Sequence, residues 1–204
     1  MMIDAVKINN LAEVATIAAG YPLRGSIDSL EEGDVPFVQM RNVNPIQGID
    51  WESVAKVTLP TKREPDWLIE GDVIFSARGA KNYAVTVKAN PKTSVCSPHF
   101  FVLRALDRKT ILPDFLAWQI NQKPAQDYLQ RSATGSNILN IRRSAIESLE
   151  IFVPPLYKQE KIIALWNTAL KEQQTLKRLI ENRNQHLEAI AVDLFNRTGG
   201  SSHE

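Results

Sequence analysis

Glycine and proline are missing from one long stretch of this chain, and cysteine is nearly missing from all of it. Between Leu156 and Thr198 neither Gly nor Pro occurs, so nothing in those 43 residues interrupts a helix. The single cysteine, Cys96, excludes an internal disulfide and any multi-cysteine zinc site. Flanked by Val95 and Ser97, it reads as a small buried side chain rather than a nucleophile. No apolar run approaches the roughly 20 residues of a membrane-spanning helix. Met1 to Asn10 lacks the basic-then-apolar pattern of a secretory signal. A cytoplasmic location without membrane contact is expected.

Catalytic patterns are missing too. There is no G-x-G-x-x-G and no Walker loop. His99, His186 and His203 are scattered, with no two at metal-ligand spacing. Pro154-Pro155 lacks the preceding Asn or Asp of an amino-methyltransferase loop, and Pro65-Asp66 lacks the later Glu-x-Lys of a common nuclease core. The expectation is a non-catalytic chain with no cofactor and no metal.

What is present is unevenly distributed. The formal net charge is only +1, but residues 1–52 carry three Lys/Arg against eight Asp/Glu. Residues 53–155 carry fourteen against nine, and residues 156–204 seven against six. The locally basic middle permits a phosphate-binding face, although a charged face also serves simply to keep a surface solvated. All eleven prolines precede Leu156. Among them lie short β-rich runs, 37–40, 73–75, 84–87 and 100–103, separated by turn signals such as Glu70-Gly71-Asp72. Helices are expected over 114–122 and 125–133, divided at Lys123-Pro124 and stopped at Gly135, with a short one near 144–149 before a strand at 150–153. The fold class expected is α+β: a mostly antiparallel, sheet-rich domain at 1–155, a long coiled-coil-forming α-helix at 156–198 and a flexible tail at 199–204.

The helix carries a seam. Ile162, Trp166, Ala169, Gln173, Leu176, Ile180, Arg183, Leu187, Ile190 and Leu194 alternate by four and three, and eight of the ten are apolar. A helix of roughly 60 Å cannot bury such a stripe on a 150-residue domain alone, so it needs another helix. In an antiparallel pair whose facing residue numbers sum to 356, Gln173 meets Arg183, Leu176 meets Ile180, Ala169 meets Leu187, Trp166 meets Ile190 and Ile162 meets Leu194. One polar layer then specifies the register. The alternative is that Gln173 and Arg183 lie at the wet edge of the stripe.

Polar clusters punctuate the domain. The stretch 39–44 offers Gln39, Arg41 and Asn42, side chains able to make paired hydrogen bonds to base edges. The stretch 76–83 offers Arg78, Lys81, Asn82 and Tyr83 around Gly79. Thr134-Gly135-Ser136-Asn137, then Arg142, together with Lys62, suit phosphate oxygens. The candidate DNA contacts are therefore Gln39, Arg41, Asn42, Lys62, Arg78, Lys81, Asn82, Tyr83, Ser136, Asn137 and Arg142. Gln39, Arg41, Arg78 and Asn82 are the expected base readers. Lys62, Lys81, Ser136 and Arg142 are the expected phosphate holders.

These segments resemble a family. Leu11-Ala12-Glu13-Val14 followed by Gly20-Tyr21, Val35-Pro36-Phe37-Val38-Gln39, Gly71-Asp72-Val73-Ile74-Phe75-Ser76, Thr134-Gly135-Ser136 and Val153-Pro154-Pro155-Leu156 are similar to the target-recognition domain of type I restriction–modification specificity subunits. Gln159-Glu160-Lys161-Ile162-Ile163 resembles the start of that family's conserved helix, with Lys158 where the family usually has an acid. The resemblance runs from about residue 7 to residue 195. It implies double-stranded DNA as ligand and methyltransferase and restriction subunits as partners, with no nucleotide or methyl donor bound by the chain itself. Specificity subunits have two recognition domains and two conserved helices packed antiparallel, so one of each implies a half-subunit that forms a homodimer or pairs with another half-subunit. A homodimer presents inverted half-sites more than one turn of about 34–36 Å apart. A rival reading is a fragment that binds methyltransferase subunits as a protein–protein module, and a second is an enzyme of unrecognised chemistry. If the register holds, Arg178→Cys cross-links readily to its own copy under mild oxidation; a persistent dimer that fails to cross-link overturns it.

Overall fold

The computed structural model describes residues 7–23, 32–60, 64–89, 93–135 and 139–199, with backbone alone at 32, 139 and 197–199. Residues 200–204 of the expected tail, and the candidate contacts Lys62, Ser136 and Asn137, lie outside them. The chain divides into two compact units, Met1–Ile163 and Ala164–Glu204.

The first unit opens with strand β1 (Lys7–Asn10), the one-turn helix α1 (Leu11–Val14) and β2 (Ala15–Ala19). The Glu13 carboxylate accepts hydrogen bonds from the Asn10 backbone N–H and the Asn9 side chain, which starts α1 directly after a strand. Then come β3 (Glu32–Val38), the small hairpin β4 (Val43–Asn44) and β5 (Gly48–Ile49), and β6 (Lys56–Val57). They are followed by β7 (Val73–Ser76), β8 (Arg78–Gly79), β9 (Ala84–Thr86), β10 (Val95–Cys96) and β11 (Phe100–Ala105). Helices α2 (Pro113–Ile120) and α3 (Lys123–Ser132), strand β12 (Leu139–Asn140), helix α4 (Arg143–Glu147) and β13 (Glu150–Val153) complete the unit before α5 (Leu156–Gly199).

The main sheet has the order β2-β11-β7-β9 and is antiparallel throughout. Its middle strand β7 is buried on both sides. Successive side chains point to opposite faces, so Val73 and Phe75 enter a core with α2, α3, α4 and β13, while Ile74 enters a second core with Val38, Val85, Phe100 and Val102. A smaller sheet, β10-β3-β6, contains the one parallel pairing among the described strands, β3 with β10. The expected α+β class, antiparallel sheet and long terminal helix are all present. The strand expected over 37–40 stops at Val38, because the Asn42 carboxamide captures the Gln39 N–H and turns the chain into a single 3-10 turn, Met40–Asn42.

The Asp72 carboxylate and the Cys96 thiol sit deep in this unit. Asp72 is fully buried, and its carboxylate receives Arg104 Nε at 2.7 Å and Nη2 at 2.8 Å, as well as the Ile69 N–H at 3.0 Å. The pairing holds Arg104 more firmly in its charged form. Gly71, at φ +88°, lets the turn before Asp72 form, and a side chain there would meet the Arg108 guanidinium within 3 Å. Cys96 is buried, and desolvation, with the nearby Asp72 carboxylate, pushes its thiol up to about 12, which leaves it protonated and unreactive.

Gln159 binds the first turn of α5 to the domain. Fully buried, it accepts the Leu112 N–H at 2.9 Å and donates to the carbonyls of Thr110 at 2.9 Å and Pro154 at 2.7 Å. Beyond it, Ile162 and Ile163 pack against the larger core. In the second unit the helix continues with its apolar residues uncovered: Leu176, Ile180, Leu187, Ile190 and Leu194 are each 58–61% exposed. Leu165 and Leu179, just beside the seam, and Val192 and Phe195 are exposed as well, so the apolar surface is broader than a two-position stripe.

Gln159→Leu keeps the volume but orphans one buried N–H and two carbonyls. At about 1–3 kcal/mol for an unsatisfied buried group, this variant should lose about 3 kcal/mol of stability in chemical denaturation; an unchanged midpoint would contradict the anchoring role.

Candidate nucleic-acid interface

Three polar segments far apart in sequence meet on the first unit. In the segment after β3, Arg41 is exposed and Gln39 is half-buried. Asn42 is buried, and its carboxamide takes the Gln39 N–H at 2.9 Å while donating to the Ser53 carbonyl at 2.9 Å and Oγ at 3.1 Å. The following β4–β5 hairpin is turned by Asn44 Oδ1, which accepts the N–H groups of Ile46 and Gln47.

The second segment is the loop between β7 and β9. Its base is closed by the Ser76 N–H donating to the Tyr83 carbonyl, and by Asn82 Nδ2 donating to the Ser76 carbonyl at 2.8 Å. Arg78 and Lys81 are exposed at its tip, while Tyr83 is half-buried. Burial raises the Tyr83 hydroxyl above its ordinary pKa, with a hydrogen bond to Ser76 working against the rise.

The third segment comprises 134–135 and 139–143. β12 pairs with β8, which sets Asn140 opposite Arg78 and Leu139 opposite Gly79. Thr134 and Asn140 exchange both backbone hydrogen bonds, at 3.1 and 3.0 Å. Arg142 follows at the start of α4, exposed. The first and second segments touch through Gly79, where a Cβ would lie 2.6 Å from the Met40 methyl. Met40 to Gly79 and Arg78 to Asn140 thus form a chain of contacts joining all three segments.

The structure divides the candidates by what their polar atoms already do. The carboxamides of Asn42 and Asn82 are engaged inside the fold and shape the loops. Arg41, Arg78, Lys81 and Arg142 present their charges outward, with Gln39 partly accessible between the first two segments. The sequence reading overlooked Met40 and Asn140, which join the segments. It also passed over a compositional signal: residues 35–49, 73–106 and 128–146 contain no Asp or Glu. Nearly all of the converging surface comes from these acid-free windows, so its cations are not neutralised by carboxylates on the same segments. By contrast, Arg143 donates to Glu147 at 2.7 Å and Lys123 pairs with Asp127, so these cations are already engaged elsewhere. Among the described residues, no group of three or more His, Cys, Asp or Glu side chains comes together, and no helix is long and apolar enough to cross a membrane.

A sheet-rich domain that gathers cations and amides from segments without Asp or Glu, followed by a long helix with exposed apolar residues, has the arrangement of a recognition module. The chain belongs to the family of the type I restriction modification DNA specificity domain, which matches residues 4–188. Solved structures agree in fold. The S subunit of a type I restriction–modification system from M. genitalium is 17% identical, with a TM-score of 0.60 over 95% of this chain and 46% of that one. The HsdS subunit from Thermoanaerobacter tengcongensis is 18% identical, with a TM-score of 0.62 over 91% of this chain and 47% of that one. A chain from a structure of type I R–M complex assembly and conformational transition is 17% identical, with a TM-score of 0.62 over 93% and 44%. No curated protein matches the chain. The resemblance read from the motifs holds, and this chain spans less than half the length of each of these subunits.

Gly79 tests the junction. Its φ of +137° is strained for any L side chain, whereas the flexible Met40 methyl can move aside. Gly79→Ala should therefore cost about 1–3 kcal/mol, and adding Met40→Ala should not restore the loss. Recovery in the double variant would place the constraint in the side-chain contact instead of the backbone.

Proposed function

We propose that this chain is the DNA sequence-specificity subunit of a type I restriction–modification system, acting in the cytoplasm. It reads one half-site per chain and directs separate methyltransferase and restriction subunits without catalysing a reaction itself. The observation that carries this reading is the convergence of three acid-free segments on one surface of a domain of this family. On that surface Gln39, Arg41 and Arg78 are the base readers, able to form paired hydrogen bonds to adenine or guanine edges in the major groove. Lys81 and Arg142 hold phosphates and fix the position of the duplex. Asn42 and Asn82 act one step back, by shaping the loops that carry the readers.

The second half of the proposal is the pairing of the long helix with its own copy, antiparallel, through Ile162, Trp166, Ala169, Gln173, Leu176, Ile180, Arg183, Leu187, Ile190 and Leu194. The exposure of Leu176, Ile180, Leu187, Ile190 and Leu194 supports it, since each such side chain contributes roughly 1.5–3 kcal/mol when fully buried. An antiparallel pair rebuilds a two-domain reader with inverted half-sites.

The test combines mass and salt. The purified chain should have the mass of a dimer in solution, and its assembly with methyltransferase subunits should bind duplex DNA with affinity that falls steeply as salt rises. Arg142→Ala should reduce the slope of log affinity against log salt by about 1 while leaving the preferred sequence unchanged. Salt-independent binding, or no binding to any duplex, would overturn the DNA-reading role; a monomeric mass would overturn the pairing.

A further inference from the structure

Arg78 and Asn140 face each other across the β8–β12 ribbon, and they are joined by side chains as well as by backbone register. Arg78 Nε donates to Asn140 Oδ1 at 3.3 Å. Both backbones are fixed from outside the pair. Ser76 Oγ donates to the Arg78 carbonyl at 3.1 Å, and Gly79, the next residue, is packed under Met40. On the other strand, Thr134 brackets Asn140 with two backbone bonds, and its hydroxyl donates to the same Asn140 carbonyl at 3.2 Å. The buried Ile141 then donates its N–H to the Ala77 carbonyl at 2.8 Å, which extends the ribbon by one residue.

A guanidinium carries five N–H donors in one rigid plane. When Nε–H is held at the side, the plane is fixed and the two terminal nitrogens point away as a fork. That end-on fork matches O6 and N7 of guanine. Among the described residues the Arg78 guanidinium has no carboxylate partner, so no ion pair among them occupies the fork.

We infer that Asn140 is a positioning residue that orients Arg78 to read guanine, so that specificity at one base pair depends on a residue that does not touch the base. This inference rests on the DNA-reading role proposed above. The free energy involved is the cost of ordering an arginine on binding. A long side chain immobilised at an interface costs about 0.5–1.5 kcal/mol, equivalent to about a 2- to 12-fold loss of discrimination when the ordering is not made in advance.

The experiment selects bound duplexes from a randomised pool, using the 204-residue chain assembled with its methyltransferase subunits. Affinities for single-base variants of the selected sequence are then measured. Arg78→Ala should abolish a guanine preference of roughly 5- to 150-fold at one position. Asn140→Ala should weaken that same preference about 2- to 12-fold, leave the other positions unchanged, and add nothing when combined with Arg78→Ala. Its unfolding midpoint should stay near that of the parent chain, because the backbone of Asn140, not its side chain, makes the strand pairing. Asn140→Asp keeps an acceptor for Nε but brings a negative charge toward phosphate. It should therefore retain the guanine preference while binding all sequences more weakly. The inference is overturned if Asn140→Ala preserves the full preference, or if it weakens every position equally. If the parent assembly selects no sequence at all, the DNA-reading role itself fails and this inference falls with it.

Discussion

Side-chain carboxamides complete the backbone pairing at several places where the short strands of this domain run out, and the edges of two sheets depend on them. A buried peptide group that loses water without gaining a partner costs about as much as a lost hydrogen bond or more, and strands of two to four residues leave many such groups at their edges. Asn121 answers this at the edge of the main sheet, where its amide accepts the Ala84 N–H and donates to the Ala84 carbonyl, both at 2.8 Å. Gln119 does the same for Phe152, at 2.6 and 2.9 Å. Each side chain imitates one residue of an additional strand, and both lie at the end of α2, so that one helix closes the edges of two sheets. Gln159 applies the same chemistry at the start of α5, where three backbone groups from two segments would otherwise be stranded.

The same residue type therefore does two jobs in this molecule, which limits what a sequence can reveal. Asn42 and Asn82 lie in polar, loop-like stretches and have the hydrogen-bonding pattern suited to adenine, so they resemble readers. In the folded domain their amides are taken by Ser53, Gln39 and Ser76. Asn140, by contrast, sits beside apolar neighbours and gives no local sign of its place opposite Arg78, because that place is created by pairing across 62 residues. Local pattern was enough for β7, for most of β11 and for α5, whose signals lie in short apolar runs bounded by turns and in unbroken heptads. It failed for Lys7–Ala19, where two strands and a one-turn helix depend on distant partners: β1 on β13 and β2 on β11.

The two units follow different physical logic. In the domain, apolar side chains pack into cores within the chain, and polar ones are divided between internal bracing and an outward surface drawn largely from segments without Asp or Glu. In the helix beyond Ala164 most of the large apolar side chains are exposed. Under the proposed reading and pairing, association and recognition fall to separate residues, so that a substitution in the loops would alter what is bound without weakening the helix pairing, and the reverse.

The antiparallel pairing of β1 with β13 sets Lys7 directly opposite Val153, so the chain enters and leaves the domain at nearly the same point, about 5 Å apart. Topologically the domain is a closed ring with its clasp beside the long helix. Such a ring can be opened at an exposed turn and rejoined at the clasp with little rearrangement inside, or spliced into a longer chain as a self-contained cassette. The same closure has a kinetic side. The clasp joins the two ends of nearly 150 residues, a pairing of the high sequence separation that goes with slow folding, and during synthesis it must wait until almost the entire domain has been made.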